Sequence, residues 1–264
     1  KRQALYDGSL QGRSQLDLSD PRDPQYTMQI DMKSVEAGAL LADVLPGGQW
    51  MTGKLNGRST WSSSGAAPQQ LRGNLTASGS AQASAGALYR FPLVDTFTNT
   101  LRMQELKQIS YRDLGLQFSV QDGRVLIPEF RLAADDLTAL SQGSIDLSGQ
   151  VDLKLNVMLS EEQTKRAVRG DIGKTVQRLF TDSQGRMVMD FNVGGTVKAP
   201  KFQADLQSTA GRSGLRALGT EELGRLLEDV LPKGKEGVGD ALRRGLGGLF
   251  GKDREAPADS TGKP

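Results

Sequence analysis

The chain has no cysteine and no histidine among its 264 residues. The missing histidine removes the commonest general base and the commonest neutral metal ligand. Zinc sites and Ser–His or Cys–His nucleophile pairs are therefore excluded. Lack of cysteine leaves the redox compartment open, since both a reducing and an oxidising home are compatible with it. Aromatic residues make up only 5%, and 33 basic residues face 31 acidic ones for a net charge of +2. Neither a base-stacking platform nor a strong positive field is present, so no nucleic-acid partner is expected. No apolar run is long enough to cross a bilayer as a helix. Hydrophobic residues reach 37% against 32 glycines, less core material than a globular domain of this size usually carries. The chain starts at Lys1 without Met or leader, which reads as a piece cut from a longer protein.

What is present is alternation. In "GSIDLSGQVDLKLNVML", residues 143–159, Ile145 and Leu147 alternate with polar residues. After Ser148-Gly149-Gln150, Val151, Leu153, Leu155, Val157 and Leu159 do the same. Period-2 patterning across a short link predicts an antiparallel hairpin with one apolar face. Leu10, Leu16 and Leu18, then Tyr26, Met28, Ile30 and Met32, predict two strands joined by the "DPRDP" loop. Strands are also expected at 51–61 (Met51, Leu55, Trp61) and 71–81 (Leu71, Leu75, Ala77). Leu114, Leu116, Phe118 and Val120 lead into Asp122-Gly123, the strongest hairpin signal in the chain. The return strand carries Leu126, Phe130 and Leu132, with Pro128 marking an edge or a bulge. Met187, Met189, Phe191 and Val193 share a face, and a last strand follows Pro200. Gly8–Ser14 (GSLQGRS) echoes Gly53–Ser59 (GKLNGRS), which suggests a duplicated hairpin unit.

Helical spacing appears near 35–45, 88–107 and 161–180, the last with a Ser160/Gln163 capping-box pattern. From residue 208 the character changes. Thr220 is placed to cap a segment whose Leu223, Leu226, Leu227, Val230 and Leu231 follow an amphipathic helical template. Residues 208–251 thus read as a C-terminal amphipathic helical segment, and 252–264 as a disordered tail. Paired acids at Asp135-Asp136 and Glu221-Glu222 read as solvated or helix-terminal charge rather than catalytic carboxylates. No catalytic and no metal-binding constellation emerges, and no cofactor is expected.

About ten amphipathic strands need a cover for their apolar faces. Two sheets could bury each other in a sandwich, or one sheet could close into a barrel. The third arrangement is an open, curved sheet whose apolar face lines a groove filled by helices or lipid tails. Burying an acyl chain gains about 0.8 kcal/mol per CH₂, enough to offset an apolar stripe left open to water. Periodicity alone does not choose among the three.

The run "LGLQFSVQDGRVLIPEFRLAADDLTALSQGSIDLSGQVDLKLNV" resembles the C-terminal region of AsmA-family proteins in the order of its parts. Strand 114–120, the Asp-Gly turn and strand 125–132 come first. The polar link "AADDLTALSQG", strand 143–147 and "VDLKLNV" follow. "FNVGGTVKAPKF" resembles the family's closing G-T-x-x-x-P-x-F pattern at Gly195, Thr196, Pro200 and Phe202. "SVEAGALLADVLPGGQWMTGKLNGRSTW" resembles the short helix and following G-x-L-x-G strand. The likeness spans about residues 8–206, and the helix 161–180 and the tail depart from it.

The resemblance implies a mainly β fold: an open, curved antiparallel β-groove over residues 1–207 with an apolar interior and a few short helices. It implies a periplasmic protein held to the inner membrane of a diderm bacterium through an N-terminal segment absent from this sequence. Its implied role is phospholipid transport between membranes and outer-membrane homeostasis, not catalysis. The implied groove lining is Met28, Ile30, Leu116, Phe118, Val120, Ile145, Leu147, Leu153, Leu155, Val157, Met187, Met189 and Phe191, in contact with phospholipid acyl chains. Read from the residues alone, the same set is a plain core. In the tail, Leu242, Leu246, Leu249 and Phe250 with Arg243 and Arg244 form a basic amphipathic segment suited to a membrane surface. The competing reading docks it on the sheet end. A sandwich-type interaction or adhesin module without ligand is the alternative function.

Overall fold

Alternating apolar and polar residues carry the chain through eleven strands of one sheet. The computed structural model describes residues 2–44, 50–89, 94–95, 104–169, 180–205 and 208–209. The strands are β1 (Arg2–Leu5), β2 (Gly8–Asp17), β3 (Gln25–Glu36), β4 (Lys54–Ser64), β5 (Thr76–Tyr89) and β6 (Gln108–Gln121). They continue with β7 (Arg124–Ala134), β8 (Leu137–Asp146), β9 (Val151–Leu159), β10 (Val188–Thr196) and β11 (Ala199–Ala204). Spatial order equals sequence order, and every neighbouring pair is antiparallel. The sheet is open and curved, with no pairing of β1 to β11 among the described residues. Of the three arrangements that alternation allows, this is the open sheet, and among the described residues neither a second sheet nor closure covers the apolar face.

Turn chemistry explains the tight connections. Tyr6-Asp7 and Asp122-Gly123 both adopt positive φ at two successive residues, the twist that a two-residue hairpin requires. The β8–β9 turn is organised by Asp146, whose Oδ1 accepts from the Ser148 amide (2.9 Å), the Ser148 hydroxyl (2.7 Å) and the Gln150 amide (2.8 Å). Those donors hold the Asp146 carboxyl below its usual range, the Ser148 hydroxyl contributing most. Pro128 sits within a register shift of β7 against β6 and β8 (between Ile127 and Phe130 in the latter). There its missing N–H breaks no regular ladder.

The two ends of the strands differ. At one end lie α1 (Ala37–Val44), a 3-10 turn (Gln104–Lys107) and α3 (Glu161–Arg169), with the Tyr6-Asp7 and Asp135-Asp136 turns. The other end carries the Asp122-Gly123 and β8–β9 turns and α2, a six-residue helix Pro68–Gly73 between β4 and β5. At the first end Val35, Ala37, Leu106, Ile109, Leu137 and Leu159 are buried. The core extends from there through β9, β10 and β11, taking in Phe180, Met187 and Phe202. The Phe191 and Phe202 rings meet edge to face with centroids 6.0 Å apart.

Several expectations are corrected. Leu71 lies in helix α2, not on a strand. Pro68 preorganises its first turn, and Gln70 Oε1 accepts from the Ala66 and Ala67 amides at 3.1 and 3.0 Å. The first helix begins at Ala37, because Val35 and Glu36 still pair with β4 past a bulge at Met32/Val35. Leu88 and Tyr89 end β5, paired with Ile109 and Gln108, rather than opening a helix. The "polar link" before Gly143 is mostly strand: a turn at Asp135-Asp136 is followed directly by β8. In the third helix expected from the sequence, 161–169 is helical and residues 170–179 lie outside the described residues. Its Ser160 caps as expected (Gln163 amide to Oγ, 3.2 Å), but the Gln163 side chain donates to Asp136 Oδ1 at 2.9 Å instead of returning to Ser160.

Candidate functional site

The registers put a single set of side chains on one face of the sheet. On β3 these are Tyr26, Met28, Ile30 and Met32, and on β4 Leu55, Gly57, Ser59 and Trp61. β5 offers Ala77, Gly79, Ala81 and Ala83, and β6 Leu114, Leu116, Phe118 and Val120. β7 continues with Val125, Ile127, Phe130 and Leu132, then β8 with Ala139, Ser141 and Ile145. Val151 to Leu159 at odd positions, then Met189, Phe191, Val193 and Phe202, complete it. No charged side chain occurs among these positions. The opposite face carries the charges, among them Asp31, Arg58, Glu129, Arg131, Asp152 and Lys154.

Burial along this uncharged face is graded. In β9 and β10, Val157 and Phe191 are 2% and 3% exposed. In β2 and β3, Leu16, Tyr26 and Met28 are 54%, 38% and 42% exposed. Between these limits Ile30, Met32, Trp61, Leu116, Phe118, Phe130, Ile145 and Leu155 are half-buried. The face is therefore a trough filled with its own side chains at the β9–β11 side, partly covered across β4 to β8 and open along β2 and β3.

Polar atoms on or beside this face are few; Ser141 Oγ is buried without a hydrogen-bond partner, and others are bonded within the chain. Trp61 Nε1 donates to Ser59 Oγ at 2.8 Å, and Ser63 Oγ donates to the Leu71 carbonyl at 2.7 Å. At the helical end the Tyr111 hydroxyl donates to the Thr52 carbonyl at 2.5 Å. Burial, then the nearby Glu36 carboxylate, pushes that phenol up from 10 to about 12. Small residues form the floor between the larger side chains of β3 and β6. A Cβ at Gly79 would lie 2.8 Å from Ser59 Cβ and 2.9 Å from Phe118 Cε1, so the glycine permits the close approach of its neighbours.

Of the lining residues named from the sequence, Met28, Ile30, Leu116, Phe118, Ile145 and Leu155 stand in the accessible or half-buried part. Val120, Leu153, Val157, Met187, Met189 and Phe191 are buried, 8% exposed at most. They serve as core under the present packing. Leu147 is not on the strand. β8 ends at Asp146, and Leu147 lies in the turn, 53% exposed, its amide bonded to the Gly123 carbonyl at 2.9 Å. Tyr26, Met32 and Trp61 also belong to this face. Tyr26 and Met32 share the parity of Met28 and Ile30, and Trp61 that of Leu55, which is the signal the sequence offers for them. Leu242, Arg243, Arg244, Leu246, Leu249 and Phe250 lie outside the described residues.

Among the described residues no group of three or more Asp or Glu side chains is arranged to hold a metal ion. No helix among them is long and apolar enough to cross a membrane. No family model, no curated protein and no solved structure matches the chain.

Proposed function

We propose that this protein binds phospholipid acyl chains in the open part of the trough, as a lipid-transport or envelope-assembly module. The observation that carries the reading is the uncharged apolar face of β2–β6, uncovered where Leu16, Tyr26 and Met28 stand. Each CH₂ moved from water onto such a surface contributes about 0.8 kcal/mol, so a long chain gives on the order of 10 kcal/mol before ordering costs. A β-sandwich scaffold is less suited, because all strands among the described residues belong to one sheet in sequential order, and none of them forms a second sheet against this face.

The resemblance to AsmA-family proteins supports the same reading and extends it. On that basis the protein works in the periplasm, anchored to the inner membrane by a segment outside this sequence, in phospholipid traffic to the outer membrane. Its basic amphipathic tail, 242–250, then rests on an anionic membrane surface, and the protein has no catalytic role.

Native mass spectrometry of the purified protein tests the reading. Co-purifying phospholipid, or saturable uptake of a fluorescent phospholipid, is the expected result. Protein that is lipid-free and takes up none overturns it.

A further inference from the structure

On the opposite, polar face, long side chains surround a depression of about 450 Å³ that crosses β3 to β7. Two adjacent cross-strand rows build it. Asp31, Arg58, Ser80, Gln117 and Glu129 are successive partners in register, and Asn56, Gln82, Gly115 and Arg131 form the next row. Ser80 and Gly115 make the floor, and the longer side chains make the rim.

Gly115 is unusual for its setting. A glycine inside a strand weakens it by roughly 0.5–1 kcal/mol relative to alanine. The glycines at 57, 79, 86 and 143 have an internal reason, since a Cβ there would come within 2.9 Å or less of a backbone oxygen. At Gly115 φ is not positive, and an added Cβ would meet only Arg131 side-chain nitrogens at 3.8 and 3.9 Å, an ordinary contact. Gly12 and Gly194 are similarly open, but neither lines the depression. A glycine with no internal need, in the middle of the fourteen-residue β6, marks a place where something else approaches the backbone closely.

The chemistry of the rim narrows what that is. Arg58 is paired with Asp31 at 2.5 Å and Arg131 with Glu129 at 2.9 Å, so both guanidinium groups are already engaged, while Lys33 on the same lining adds an ammonium donor. The neutral groups retain capacity of both kinds. Gln117 Nε2 donates to Glu129 and Gln82 Nε2 to Asp113, leaving their amide oxygens as acceptors. Asn56 Oδ1 accepts from the Ser34 amide, leaving its NH₂ as a donor beside the Ser80 hydroxyl. Hydroxyl groups both donate and accept, and a flat ring fits over a floor without a Cβ. We propose that this depression is a second binding site, on the face opposite the trough, for a neutral saccharide. The proposal does not depend on the lipid reading.

The test is a titration of ¹⁵N-labelled full chain with cellobiose, maltose and chitobiose, followed by amide chemical shifts. Saturable shifts at Ser80, Gln82, Gly115 and Gln117 with at least one disaccharide are expected. Gly115→Leu, which fills the depression, should weaken that binding at least tenfold while circular dichroism and phospholipid uptake stay as in the parent. Gln117→Ala, an exposed change that keeps the fold, should weaken it about three- to tenfold through one lost hydrogen bond. No saturable shift with any of the three sugars overturns the proposal. Parent-like affinity in folded Gly115→Leu or in Gln117→Ala does so as well.

Discussion

The indole of Trp61 on β4 and the ring of Phe118 on β6 approach to 6.0 Å between centroids, inclined at 48°, across the intervening strand β5. Gly79 on β5, opposite Phe118 in register, makes this approach possible. Gly79→Ala would force a methyl to within 2.7 Å of the Arg58 carbonyl as well as against Phe118. We expect a loss of about 1–3 kcal/mol, read as a lower midpoint in denaturant unfolding. An unchanged midpoint would mean that the two rings do not need the glycine.

Position along the trough should separate binding from folding. Met28→Asp places a charge on the open part, where water already reaches, so the fold should persist while phospholipid uptake falls. Val157→Asp buries an unpaired carboxylate in the closed part and should cost about 4 kcal/mol or more. Circular dichroism with the fluorescent-lipid assay distinguishes the two. Folded Met28→Asp with normal uptake would place the lipid elsewhere.

Tyr111 gives the fold an alkaline limit. Its phenol is raised from 10 to about 12 in the native state. The stability linked to that shift is fully present below pH 10 and is lost as pH rises through about 12, because the unfolded chain ionises first. A Tyr111→Phe variant should lose the hydrogen bond to Thr52, costing about 1 kcal/mol near neutrality, and show a flatter decline of stability between pH 10 and 12. Parallel stability curves for parent and variant over that interval would remove Tyr111 from this role.

Gly143 should be the least replaceable residue of β8. It has φ of +143°, and an added Cβ would lie 2.1 Å from the Asp152 carbonyl oxygen on β9. Gly143→Ala is expected to cost about 3 kcal/mol or more, seen as a large drop in thermal midpoint or as failure to fold. A near-parental midpoint would show that β8 can shift its register against β9.

Much of this fold can be read in the chain because a strand's alternation is local. Val151–Leu159, Leu114–Val120 and Tyr26–Met32 each declare one apolar face without help from the rest of the molecule. The errors arose where a local signal had a non-local answer. Leu71 and Leu75 share strand parity, yet Pro68 and the Gln70 cap hold Leu71 in a helical turn. Leu147 keeps the parity of Ile145, but Asp146 gathers the turn amides and ends β8 one residue earlier. Helical spacing near Leu88 yielded to pairing with Ile109 on β6.

The trough was legible to the same degree. Alternation names the face, but not whether a given residue on it is covered. Met28 and Phe191 look alike in sequence, and what separates them is the Leu106, Phe180 and Phe202 packing gathered around β9–β11. Gly115 was invisible for another reason. A glycine's meaning lies in what its missing Cβ would touch, and that is known only once the neighbouring strands are in place.

Sequential strand order has an evolutionary consequence. Each hairpin rests only on its immediate neighbours, so the sheet is close to a one-dimensional array whose units can be added or removed without rethreading the rest. Gly8–Ser14 and Gly53–Ser59 begin strands that flank β3 on either side, running the same way, with Leu10 and Leu55 on the same face. Growth by copying a strand pair would leave such an echo. It would also lengthen an apolar channel in steps of about 10 Å, two strand spacings at a time. A molecule built on this plan can set the extent of its apolar face by changing its number of hairpins alone.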